Sequence, residues 1–570
     1  MKDLDWLQFV FLILVLTVIT KPLGIYVFKV LTPKEKLPLD FLLKPLEKIT
    51  YRLCGIGTDK EQNWKEYLFS LLSFSMISLL ATFLLLACQS FFPLNPEKLR
   101  ALSADLNFNT SVSFVTNTDW QSYGGEFTLS YFSQMVPLTL QNFLSPAIGL
   151  AVAAALVRAI TRHSSTTVGN FWVDLVRISY HLLFPLALAL ALFFVSEGTP
   201  QNFKPYTRAI TLENAKQTIV QGPIASQKAI TILGTNGAGY TNVGSAHPYE
   251  NPTPLSNFFQ ILFILAIPAA QTYYLGRAVK NQNHGWALYI TMALIFFVVA
   301  LFCAHFEMKG NPQFTHLTVE KGAGNLEGKE QRFGILGSTL FATATTTATN
   351  GSVNSSHDAY TPLGGFIPLL NLQFGQAVWG GAGSGLYNMI LVVILSVFTA
   401  GLIIGRIPEY LGNRIEPFDI KVAIFAHLPY LLAILGLTAW ACISSWGLAA
   451  LGNQGPHGFS EILYAYSSAA VNNGSSFAGL YANTPWWNLT LAFAMLVGRF
   501  LVIVPVLALA GSLTKKKNLP LGASSFPVSG ATFIALLISV ILLIGALAFL
   551  PALVVGPFLE QFFMNAGKLF

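Results

Sequence analysis

Long apolar runs alternate with polar connections along the whole chain. About 20 apolar residues, at 1.5 Å per residue, are needed to cross ~30 Å of hydrocarbon. Ten runs are candidates, near residues 5–20 (with room to extend past Pro22), 66–88, 138–157, 178–196, 253–276, 285–306, 377–405, 422–445, 486–512 and 526–553. The first does not read as a signal peptide. Its start, MKDLDW, lacks a net positive region, and no small-residue cleavage site follows.

Composition agrees with that pattern. Of 570 residues, 53% are hydrophobic and 10% charged, whereas soluble domains carry about 25% charged residues. A disordered chain, a disulfide scaffold and an ordinary cytosolic enzyme are all excluded. The expected class is an all-α integral membrane protein with about ten transmembrane helices.

The formal charge of +7 raises nucleic acid as a partner, but the distribution of the charge points to topology instead. Segments 21–65, 158–177, 277–284, 406–421 and 513–525 hold 20 of the 33 Lys and Arg residues. Basic loops mark the cytoplasmic side, which places both termini outside and leaves no case for nucleic acid. Cys54, Cys88, Cys303 and Cys442 are far apart and form no metal-binding or disulfide spacing. The nine histidines include no HExxH pair.

Four connections on the other side, 89–137, 197–252, 307–376 and 446–485, are long and rich in Gly, Asn, Ser and Thr. They resemble one another. The first contains Val115-Thr116-Asn117-Thr118, the second Thr235-Asn236-Gly237-Ala238, the third Thr349-Asn350-Gly351-Ser352 and the fourth Asn472-Asn473-Gly474-Ser475. Positions 117, 237, 351 and 474 are spaced by 120, 114 and 123 residues. Each motif follows a short semi-apolar stretch long enough for a half-helix. The repeating unit is therefore span, half-helix, loop, span.

Non-helical backbone at membrane depth is tolerated only where it is buried or lines an aqueous cavity. A half-helix directs its C-terminal carbonyls, the negative end of its dipole, at the loop that follows. Glycine there permits positive φ, so that successive carbonyls turn the same way. Four such loops around one axis make rings of oxygens that replace a cation's water shell. Rings without carboxylates suit a weakly hydrated monovalent cation, K+ before Na+. One Asn-Gly alone is an ordinary turn signal; three, with Asn117-Thr118 in the fourth matching place of a repeated topology, are a filter signal.

Longer stretches carry a resemblance. FVTNTDWQSYGGE (114–126), LGTNGAGYTNVGSAHPYENPT (233–253), TTTATNGSVNSSHD (345–358), SSAAVNNGSSFAGL (467–480), GSGLY (383–387) and GRIPEYLG (405–412) resemble the A subunit of the bacterial Kdp potassium-transporting ATPase, over essentially the whole chain. The resemblance implies the fold of Trk/Ktr potassium transporters: four pseudo-symmetric M1–pore–M2 repeats plus one extra helix at each end. The repeats are expected at 66–162, 163–284, 285–414 and 415–515, flanked by 1–65 and 516–570. By motif, Asn117, Gly237, Gly351 and Gly474 become the matched filter positions, with Asn replacing Gly in the first repeat. Aligning on the shared Thr-Asn would instead put Thr118 in the glycine place. Asp119, Ala238 and Gln376 depart from the family pattern, Asp119 being placed to concentrate cations at the mouth.

Four further residues are candidates for the ion's route and its gating. Gln121 resembles a family position on the way out of the filter. Arg499 is the one Lys or Arg deep within a span, and such a charge is expensive and usually functional; pairing with helix carbonyls to hold packing reads equally well. Arg406 reads as an interfacial anchor, although the resemblance implies a broken helix and gating loop there, next to the glycine-rich run 380–385 and Gln376.

The chain holds no GxxxxGK[ST] loop and no DKTG motif, so energy for active transport must come from elsewhere. The resemblance implies a P-type ATPase subunit that binds ATP, a C subunit and a small F peptide, in a bacterial inner membrane. A free-standing Trk/Ktr-type channel or ion-coupled carrier is the competing reading. A membrane enzyme built on His247, His305 or His357 would need a converging ligand set that the spacing does not supply.

Overall fold

The computed structural model describes residues 3–32, 35–311, 324–405, 408–517 and 526–568. Among them, ten helical stretches are long and apolar enough to span a bilayer: Leu7–Leu31, Trp64–Ala87, Tyr131–Thr161, Phe171–Ser196, Pro254–Ala278, Gln282–Lys309, Ser384–Ile404, Pro417–Ile443, Pro485–Leu513 and Ala531–Asn565. Each coincides with a run read from the sequence, and the first continues through Pro22. Local chemistry sets several starts. Asn63 and Glu66 form a reciprocal capping box before Trp64, and Thr253 with Ser256 does the same before Pro254.

Among the shorter helices between the spans, four directly precede the repeated motifs: Ala104–Val115, Ile224–Leu233, Gly334–Thr347 and Gly455–Ala470. These are the half-helices expected from the repeat, here termed the first to fourth pore helices. Nearly every residue along them is buried despite many Thr, Ser and Asn. Such polar burial at the centre of an apolar molecule requires partners, and the hydroxyls of Thr110, Thr116, Thr343 and Thr346 find them in carbonyls one turn back on their own helices.

The basic connections gather on one face. Gln62 pairs with Gly169, Ser165 N–H donates to Thr514 O at 2.9 Å, and Arg162 reaches Glu61 at 2.8 Å. Alternate loops therefore do lie together, as the charge count requires.

One helix differs from the expectation. The apolar run predicts a single seventh span over 377–405. The structure instead shows a helix Pro362–Gln373, a non-helical stretch over 374–383, and then Ser384–Ile404. Positive φ at Gly375, Gln376, Trp379 and Gly383 breaks the rod. Gly383 could not be otherwise, since a Cβ there would overlap the backbone of Gly149.

The two end helices pack on this core. Asp3–Leu31 lies along Pro254–Ala278, where Gly24 sits against Tyr273 and the carbonyl of Ala270. Ala531–Leu553 packs on Gln282–Lys309 and Ser384–Ile404. The helix Leu559–Asn565 beyond it returns to the fourth pore helix.

Candidate functional site

Each pore helix ends in a loop of the same form. In the second, third and fourth loops a positive-φ residue, a residue of ordinary φ and a positive-φ glycine follow in sequence: Thr235 (52°) to Gly237 (90°), Thr349 (45°) to Gly351 (91°), and Asn472 (55°) to Gly474 (96°). Alternating backbone hand turns successive carbonyls to one side. In the first loop the positive-φ residues are Asn117 (64°) and Asp119 (52°).

That pattern corrects the register of the first repeat. Asn117 matches Thr235, Thr349 and Asn472. Thr118 matches Asn236, Asn350 and Asn473. Asp119, neither Asn117 nor Thr118, stands in the place of Gly237, Gly351 and Gly474. Hydrogen bonds agree: Thr118 and Asp119 N–H both donate to Ser113 O, as Asn236 and Gly237 N–H both donate to Thr231 O. In the third and fourth loops, Asn350 and Asn473 N–H donate to Thr345 O and Ser468 O at 2.8 Å. Gly351 and Gly474 N–H donate to the hydroxyls of the same two residues, at 2.9 and 3.0 Å.

The four loops close on one another in a cycle. A Cβ at Gly237 would overlap Asn350 O, one at Gly351 would overlap Asn473 O, and one at Gly474 would overlap Thr118 O. Side-chain amides run the same circuit in the opposite sense. Asn473 Nδ2 donates to Thr345 O, and Asn350 Nδ2 to Thr231 O, both at 2.9 Å. Between the first two repeats the joint is made differently: Asn236 Nδ2 and Ser145 Oγ both donate to Asn117 Oδ1 at 2.8 Å, and Asn117 Nδ2 donates to Thr235 O at 2.9 Å. Thr118 is too short to reach the fourth pore helix and accepts instead from Asn472 Nδ2 at 2.9 Å.

Val115 is the last residue of the first pore helix and Thr116 caps it. On one side the loops open into a vestibule of about 830 Å³, bordered by residues of all four, including Asp119, Gln121, Ala238, Gly351 and Gly474. Gln121 forms a two-way amide clasp with the backbone of Gly239, 2.9 and 3.1 Å. It therefore stands in the vestibule wall, beside the first two loops. His357 also borders the vestibule; burial, aided by Lys329, lowers its pKa to about 3, so the ring stays neutral.

At the other end of the loops lies the broken helix. Gly381 N–H donates to Thr349 Oγ1 at 3.1 Å and Ala382 N–H to Thr235 Oγ1 at 2.8 Å. Gln376 Nε2 donates to Val471 O, the C-cap of the fourth pore helix, at 2.5 Å. Arg499 is buried nearby, its Nη2 donating to Ser145 O at 2.6 Å. Among the described residues no carboxylate pairs with it, while Tyr387 and Tyr430 stand close by. Gly498 lets this helix rest on the carbonyl of Ala470, which sets Arg499 against the filter's first repeat. Arg406 lies outside the described residues.

Sequence reading missed the supporting residues Ser113, Thr231, Thr345 and Ser468, and the helix side chains Asn142 and Ser145. The signal was present: each of the four hydroxyl residues stands six positions before Asp119, Gly237, Gly351 or Gly474.

Among the described residues, ten candidate spans with four re-entrant loops closing on one vestibule define a pore-loop membrane transport protein. The crystal structure of the potassium transporter TrkH from Vibrio parahaemolyticus has a similar fold, with a TM-score of 0.51 over 86% of this chain and 96% of that one, at 14% identity. A model of the potassium-transporting ATPase A subunit family, KdpA, matches residues 10–562, and the chain belongs to that family. The potassium-transporting ATPase potassium-binding subunit of Methylacidiphilum infernorum is 51% identical over 98% of each chain. That of Granulibacter bethesdensis is 48% identical over the full length of both.

Proposed function

We propose that this chain binds K+ at the four-loop filter and carries it across the membrane as the ion-conducting subunit of an ATP-driven uptake complex. The observation that carries this reading is the cyclic arrangement of four loops, each with alternating backbone hand and each closed against the next. Residues 115–119, 235–237, 349–351 and 472–474 supply the oxygens, with backbone carbonyls as ligands and Asp119 in the place of the three glycines. Rings of backbone carbonyls replace the shell of a large monovalent cation at lower cost than that of Na+. The vestibule faces the outside of a bacterial inner membrane, both termini lie on that side, and the basic loops face the cytoplasm. Ions pass from the vestibule through the loops to the region of Gln376, Thr349, Ala382 and Arg499, where the broken helix gates the route.

Energy comes from a P-type ATPase subunit, with a C subunit and a small F peptide completing the complex. Relatives named as ATPase subunits over nearly their full length favour this reading over a free-standing channel or carrier. The test is ATP hydrolysis by the purified complex, titrated with K+, Rb+ and Na+. Stimulation by K+ with little response to Na+ is expected. No stimulation, with K+ still bound by this chain alone, would transfer the filter to a free-standing channel.

A further inference from the structure

Three glycines and one aspartate occupy the four equivalent turn positions of the filter. Asp119 takes a backbone conformation (φ 52°) that glycine accepts at no cost, and it is 3% exposed. Its Oδ2 accepts from Asn142 Nδ2 at 2.8 Å, while its Oδ1 is buried with no hydrogen-bond partner. No cation of the protein pairs with it among the described residues; in the vestibule wall Lys329 is engaged with Glu307 at 2.7 Å. A buried carboxylate oxygen with no donor and no cation is expensive. Asp119 is among the residues that border the vestibule, next to the loops through which cations pass in the reading above.

Resting on the filter reading above, we propose that Asp119 Oδ1 is a side-chain ligand for the cation at the vestibule end of the filter, making the outer ring three carbonyl-type walls and one carboxylate. The site takes a dehydrated monovalent cation of the K+ class. The filter so built is asymmetric, and the asymmetry raises affinity at its mouth.

Two variants and one direct observation test this in the intact complex. Asp119→Asn keeps the shape and the contact to Asn142; Asp119→Gly restores the glycine of the other repeats. Both are expected to raise the K+ concentration for half-maximal ATP hydrolysis by about tenfold, the effect of one charge a few ångströms from the ion, while saturating K+ restores turnover. Crystals of the wild-type complex soaked in Tl+ should show an anomalous peak in contact with Asp119 Oδ1. Half-saturation unchanged in both variants, or a filter filled with Tl+ but with no peak at Asp119, would overturn the assignment. Gly351→Ala separates the two readings: if it abolishes K+ discrimination while the Asp119 variants are neutral, only the role of Asp119 falls.

Discussion

The side-chain amide of Asn473 donates to the backbone carbonyl of Thr345, 2.9 Å away across the boundary between the third and fourth repeats. Asn350 makes the same bond to Thr231 across the preceding boundary. Each asparagine thus ties its own loop to the end of the pore helix before it, and at these two boundaries the tie is a neutral donor on a pore-helix carbonyl.

Asn473→Asp preserves shape but removes the donor, setting a carboxylate oxygen against the carbonyl of Thr345. Losing a buried hydrogen bond and leaving its acceptor unpaired costs about 1–3 kcal/mol. The variant complex is expected to assemble, to lose roughly tenfold or more in apparent K+ affinity, and to admit Na+. Titration of ATP hydrolysis with both ions is the check; unchanged curves would show that the tie is dispensable.

The broken helix hangs from two filter hydroxyls, Thr235 Oγ1 and Thr349 Oγ1. Thr349→Val keeps the β-branched shape at φ 45° and deletes the acceptor for Gly381 N–H. With that tether gone, passive Rb+ flux through proteoliposomes without ATP should rise several-fold above wild type, about the effect of one lost hydrogen bond on a gating equilibrium. Equal fluxes would free this loop of a gating role.

Arg499 offers a charge and a single bond to Ser145 O. If the charge matters, Arg499→Lys retains most K+-stimulated turnover and Arg499→Gln loses it, since glutamine can still donate to the carbonyl but carries no charge. We expect that ordering, with a gap of about tenfold. Equal losses in both variants would reduce the arginine to a packing element.

His457, at the start of the fourth pore helix, donates to Asp358 at 3.0 Å and to Glu560 of the returning C-terminal helix at 2.8 Å. Burial alone would lower its pKa, but the two carboxylates outweigh it and raise the value from 6.5 to about 10. A raised pKa contributes stability that is complete below about 6.5 and is lost as pH climbs through 10. Thermal unfolding of the complex should therefore weaken between pH 7 and 10. His457→Gln should be less stable at pH 7, on the order of 2 kcal/mol, and nearly flat over that range. A variant as pH-sensitive as wild type would place the titrating group elsewhere.

Much of this was legible in the sequence for a physical reason. Spans and half-helices follow from run length and from the intolerance of hydrocarbon for bare backbone, so all ten spans and the four loops could be located. Register within the first loop could not be read from motif matching, because Asn117 resembles a tolerant stand-in for glycine while the backbone gives that place to Asp119. Only the six-residue spacing from Ser113, equal to that from Thr231, Thr345 and Ser468, carries the answer. The helix Pro362–Gln373 was missed because its 12 residues are too few to cross a bilayer. Arg499's choice of a carbonyl in place of a carboxylate depends on which helices meet, which no single segment encodes.

Gly351 is the most direct probe of the filter, since its φ of 91° and its overlap with Asn473 O forbid a side chain. The decisive measurement compares K+ and Na+ stimulation of ATP hydrolysis in the wild-type complex and in Gly351→Ala. Strong preference for K+ in wild type and its loss, by about tenfold or more, in the variant is the predicted result. An assembled Gly351→Ala complex that still prefers K+ over Na+ as strongly as wild type would contradict the filter.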